Sequence, residues 1–162
     1  MKRQSALVEN IRSQLGTSWI PSVYSDKVRS LRTRAYHLDI APRENKPEIL
    51  HTLLGIELKI GKRRFACPDL ATARYLQVFA RIGCRDFAVP YDITKISTIA
   101  DELETSWHRM LLLLNELTSG QEPSTIGRYR SALVRKLREE IAEIGPGDAM
   151  PAFDRPTRQS SR

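Results

Sequence analysis

The sequence predicts an α+β fold, a small three-stranded mixed sheet packed by about five to six helices, the sheet being a hairpin plus a strand parallel to its second strand. Three observations carry this. Between residues 56 and 67 the apolar period falls to two, with Ile56, Leu58 and Ile60 alternating with Glu57 and Lys59 and with Gly61 placed for a tight turn. Pro68 and Asp69 then open a helix to Ile82 whose polar stripe is narrow, only Arg74, Gln77 and Arg81, with Gly83 positioned to end it. Residues 85–89 return to strand composition and stop at Pro90. A strand, helix, strand unit makes a right-handed parallel crossover, so this last strand is expected beside the second strand of the hairpin and parallel to it.

The remaining elements follow from spacing and caps. Leu7, Ile11 and Leu15 recur every four residues before Gly16, which predicts a helix over 4–15. Pro21 marks a loop. Ser25 is placed to cap a second helix over 25–38, with Val28, Leu31, Ala35 and Leu38 on one face and Lys27, Arg29, Arg32, Arg34 and Tyr36 flanking it. Pro42 and Pro47 frame an irregular stretch, after which residues 47–54 read as a short helix closed by Gly55. Within the hairpin, Ile60 is expected to face Arg63, Leu58 to face Phe65 and Ile56 to face Cys67, leaving Glu57, Lys59, Arg64 and Ala66 on the other face. Long apolar stripes predict helices over 97–117 and 125–144. Residues 1–144 are thus expected to form one α+β domain. Residues 145–162 hold three prolines and no apolar period, and are expected to be a disordered tail.

Composition narrows the function classes. At 162 residues, with 41% hydrophobic and 28% charged content, the chain can bury a core and is not wholly disordered. No apolar run approaches a membrane span, and Glu9, Asn10 and Arg12 interrupt any signal-peptide core, so the cytoplasm is the expected compartment. Cys67 and Cys84 stand in no CxxC pair, and His37, His51 and His108 are scattered, so no metal and no cofactor is expected. The net charge is +7, and residues 1–100 hold 17 Lys and Arg against 9 Asp and Glu. That bias favours a polyanionic partner, DNA or RNA.

Two constellations stand out. Lys59, Lys62, Arg63 and Arg64 cluster at the hairpin tip, and Arg29, Arg32 and Arg34 form a second group. Such groups neutralise phosphates without reading bases, and no helix-turn-helix, zinc finger or aromatic RNA-binding strand accompanies them. The second constellation is Glu57-x-Lys59 on a strand, followed by strand, helix and strand. This resembles the core of the PD-(D/E)xK nuclease superfamily. The resemblance implies that Glu57 helps hold Mg²⁺, that Lys59 orients the nucleophile, and that Arg74 or Gln77 touches phosphate. The family pattern also places an acid on an earlier strand. Asp39, Glu44 and Glu48 lie upstream, and none falls in a predicted strand.

Cys67, at a helix N-terminus, is where a nucleophilic thiolate would sit, but the hairpin register points it into the core. Nucleotide-loop, α/β-hydrolase and zincin motifs are all missing. The leading expectation is therefore a non-enzymatic nucleic-acid-binding or nucleic-acid-associated protein, acting through Arg29, Arg32, Arg34, Lys59, Lys62, Arg63 and Arg64. A metal-dependent nuclease centred on Glu57 and Lys59 is the alternative. A third reading is an interaction adaptor or homodimer that uses the apolar stripes of helices 97–117 and 125–144.

Overall fold

The alternation that predicts the hairpin folds as expected. In a computed structural model that describes residues 2–146, strands β3 (Gly55–Ile60) and β4 (Arg63–Cys67) pair antiparallel. Ile56 lies opposite Cys67, Leu58 opposite Phe65 and Ile60 opposite Arg63. Gly61 opens the two-residue loop with φ +61°, a value that favours glycine. Preceding these strands are α1 (Lys2–Leu15), a short helix α2 (Ile20–Val23) continued by a π-helical turn over Tyr24–Val28, β1 (Thr33–His37) and β2 (Glu48–Thr52). After them come α3 (Leu70–Ile82), β5 (Asp86–Pro90), α4 (Ile93–Leu117) and α5 (Pro123–Ile144). The fold is α+β, with four long helices and two antiparallel sheets.

The single mixed sheet is not formed, and three local differences explain why. Residues 48–52 are a strand where a short helix was expected, and Ile49 lies opposite Leu58. The Thr52 hydroxyl accepts the Leu54 N–H at 3.1 Å and donates to the Gly55 carbonyl at 3.0 Å, which closes a tight turn at Leu53 and Leu54. A short apolar run carries little period information, and pairing to β3 decides it.

The basic helix expected over 25–38 ends near Val28, and residues 33–37 are strand β1. The stripe from Val28 to Leu38 is a coincidence of spacing; Leu38 is buried after the strand, not along a helix. Finally, β5 does not lie parallel to β4. It pairs antiparallel with β1, with Tyr36 opposite Phe87 and Ala35 opposite Ala88. On its other edge the Ala88 N–H donates to the Tyr24 hydroxyl at 2.8 Å, and the Ala88 carbonyl accepts from the Tyr75 hydroxyl at 2.6 Å. Two hydroxyls take the place a neighbouring strand would fill.

Helix α3 is the element the others surround. Asp69 caps it by accepting the Thr72 N–H at 2.7 Å, and eight of its residues are buried, as the narrow polar stripe predicts. Phe79 stacks on Phe87 at 4.4 Å between ring centroids, and Tyr75 and Tyr24 pack against Phe79 at 4.9 and 5.7 Å. Helices α4 and α5 begin a few residues earlier than expected, α4 with Asp92 as its cap and α5 with Pro123 in its first turn. Val8, Ile11 and Leu15 of α1 are buried in the same core as Leu103, Trp107, Leu133 and Leu137. The stripes of α4 and α5 are thus covered within the monomer, and Ile93 and Leu112 are the exposed large apolar residues of these helices. Of the expected tail, only Gly145 and Pro146 fall among the described residues.

Gly83 ends α3 with φ +91°, and a β-carbon placed there would stand 2.3 Å from the Arg43 carbonyl oxygen. The segment from Arg43 lies against this glycine and is tied down by Asn45, whose N–H donates to the Arg81 carbonyl and whose amide donates to the Ala80 carbonyl. Gly83→Ala is expected to cost about 2 kcal/mol or more, since the left-handed backbone and the clash both oppose it. Urea denaturation against Gly127→Ala, at an exposed helical position with open space around it, is the measurement.

Candidate nucleic-acid interface

The seven predicted basic residues do not form one patch. Lys62 is exposed at the second loop position of the β3–β4 hairpin, and Arg63 and Arg64 are exposed beside it. Arg63 donates to Asp39 at 2.7 Å and its guanidinium stands 5.7 Å from the Phe65 ring centre. Arg64 donates to Glu57 at 3.3 Å. Lys59 lies between two partners on the outer face of the sheet, opposite Glu48 on one side and Arg64 on the other.

The second group is dispersed because its helix does not exist. Arg29 donates to the Ile144 carbonyl at 2.6 Å and the Gly145 carbonyl at 3.2 Å, closing the C-terminal end of α5. A cation on those carbonyls satisfies groups a helix end leaves unpaired. Arg32 stands over the Tyr91 ring at 5.2 Å, and Arg34, on β1, over the Tyr36 ring at 5.6 Å. Arg74 and Gln77 are also engaged. Arg74 bonds Glu104 at 2.7 and 3.1 Å and also bonds Asp101; Gln77 donates to the Pro47 carbonyl at 3.2 Å.

What the fold does assemble is a basic end around the hairpin tip. Asp39 follows β1 and binds both Arg63 and, at 3.7 Å, Arg85, which precedes β5. Arg85 thereby joins Lys62, Arg63 and Arg64, while the neighbouring His37 is paired with Asp86 at 2.8 Å. The hydrogen bond from Arg63 and its charge, helped by Arg85 and His37, hold the exposed Asp39 carboxyl below the usual carboxylate range. Sequence reasoning missed Arg85, because only the β1–β5 pairing brings it to Asp39, and no local pattern signals that.

The same geometry places Glu48. It sits on β2 directly opposite Lys59, so Glu48, Glu57 and Lys59 share the outer face, Glu57 being diagonal to Glu48. Among the described residues no group of three or more His, Cys, Asp and Glu is arranged to hold a metal ion. No helix of the described residues is long and apolar enough to cross a membrane. Compared with known proteins, the chain matches no family model, and it has no match among curated proteins or solved structures.

Both cysteines are free thiols buried in the fold. Cys67 is buried, its thiol directed to the Phe65 carbonyl at 3.6 Å, and desolvation with the nearby Asp69 charge pushes its pKa up. Burial drives the Cys84 thiol up to about 12. Because the folded value of Cys84 lies above the roughly 8.5 of a free thiol, the stability tied to it is intact below that pH and is lost as pH rises toward 12. Both thiols are expected to resist a disulfide reagent at pH 8 in the native chain and to react fully in denaturant. Rapid native labelling of either would contradict this placement.

Proposed function

We propose that the protein binds the phosphate backbone of nucleic acid through the basic end of the fold, with Lys62, Arg63 and Arg64 at the hairpin tip and Lys59 and Arg85 flanking them. The observation that carries this reading is the convergence of Arg63 and Arg85 on one exposed carboxylate beside Lys62. More positive charge is collected there than Asp39 neutralises. Arg29, by contrast, serves the fold. Contacts of this kind give affinity without base readout and fall steeply with salt.

Fluorescence anisotropy with labelled single- and double-stranded DNA and RNA over a salt series tests it. Binding is expected at low salt, with log K falling by about 0.9 for each phosphate neutralised per unit of log salt. Lys62→Glu with Arg64→Ala should weaken binding about tenfold or more and flatten that slope. Arg29→Ala should leave affinity in place while lowering stability by about 1–2 kcal/mol. Absence of binding at low salt sinks the proposal.

One observation favours a second reading. The resemblance to the PD-(D/E)xK core lacked an acid on an earlier strand, and Glu48, preceded by Pro47, stands on the strand next to Glu57 and Lys59. Two carboxylates with substrate phosphate suffice for Mg²⁺, although Arg64 must release Glu57. The bound ion would polarise the phosphate. On the other side, β5 stays out of the sheet. Under this reading plasmid nicking appears with Mg²⁺, and both Glu48→Ala and Glu57→Ala abolish it. Nicking that survives either substitution ends the reading, while binding without nicking leaves the first proposal in place.

A further inference from the structure

We infer that two copies of this chain pair along the free edge of β2, with Leu53 and Leu54 of each copy crossing the seam. The three-stranded sheet has two edges, and they are unequal. Strand β4 carries Arg63 and Arg64 and is followed at once by Pro68, features that discourage edge pairing. Strand β2 reads EILHT, with one charged residue at its start. Among the described residues β2 makes no backbone hydrogen bond outside its ladder with β3.

The turn after it exposes Leu53 and Leu54 at 106% and 96%, the most exposed large apolar residues described. Thr52 and the φ +127° of Gly55 hold this turn, so the leucine side chains contribute nothing to it. Tight hairpin turns favour Asn, Asp and Gly, which makes two bare leucines a cost without an intramolecular return.

The edge is complementary to itself. A two-fold axis through Leu50 and perpendicular to the sheet sets Leu50 opposite its own copy. Ile49 then faces His51, Glu48 faces Thr52, and the Leu53–Leu54 turn of each copy lies against the exposed Lys46 of the second copy, Pro47 being buried in its own chain. No like charges meet. Because each pair sums to an even residue number, the buried faces stay on one side and the two sheets join as one of six strands. A five-residue seam with the two leucine turns at its ends is small for a specific interface, which suits a reversible dimer.

Sedimentation of the full chain over a concentration series is expected to show a monomer–dimer equilibrium. Leu53→Ser with Leu54→Ser should raise the dissociation constant by at least about tenfold with an unchanged circular-dichroism melt. Leu50→Cys should yield a disulfide-linked dimer under mild oxidation, and Glu48→Cys should not, since only the former meets its own copy; the wild type, whose two thiols are buried, is the blank. A monomer at every concentration, a dimer indifferent to the leucine changes, or cross-linking at 48 and not at 50 would overturn the inference. So would a monomer that binds phosphatidylcholine vesicles through Leu53 and Leu54, which would assign the tip to a lipid surface.

Discussion

The two hydrogen bonds at Ala88 are the constraint on which the arrangement rests. A strand buried in a core must satisfy both edges, because an unpaired backbone group away from water costs about 1–3 kcal/mol. On β5 one edge is satisfied by β1, and the other by the hydroxyls of Tyr24 and Tyr75. These tyrosines come from different parts of the chain and also pack on Phe79. The same residues therefore close the strand, build the aromatic core and bind the α2 region to α3. Tyr24 extends the connection further, donating to the Gly145 carbonyl at 2.6 Å.

Charge is divided between holding the fold and facing solvent. Arg130 forks onto Glu44 and fixes the segment that packs against Gly83. Arg138 donates to the Ile82 carbonyl, Arg29 to the end of α5, and Arg12 with Trp19 converges on Glu140. Apart from the exposed Arg12, each is partly buried or reaches an otherwise unpaired carbonyl, where a guanidinium fork has its greatest use. At the hairpin tip the pairs are exposed, and exposed pairs contribute only about 0–1 kcal/mol. Those cations hold little of the fold together, which leaves them free to exchange a carboxylate for a phosphate. Net charge alone does not make this distinction.

The outer face of the three-stranded sheet is charged. Glu48 and Glu57 share this face with Lys59 and Arg64 across three strands, an arrangement that a solvated sheet and a metal-dependent phosphodiesterase would both produce. The inner face behind it is committed to α3 through Leu58, so the outer residues change without disturbing the core.

Much was legible from local signals. The β3–β4 register follows from side-chain alternation, which a one-residue slip would invert. The start and end of α3 follow from Asp69 and Gly83, whose roles depend only on adjacent backbone. The failures were the segments at 33–37 and 48–52, both short and both helical in spacing by chance. Whether such a segment is strand or helix depends on a partner: β5 is about fifty residues beyond β1, and β2 is set by the turn Thr52 closes. The site divides in the same way. Lys62, Arg63 and Arg64 are neighbours on one hairpin and were visible; Arg85, Glu48 and the structural duty of Arg29 were not. Period, caps and turns belong to the chain by itself, because their physics acts within a few residues. The split into two sheets, the gathering of charge at Asp39 and the bare edge of β2 were decided by tertiary structure, because each depends on which distant backbone satisfies which edge.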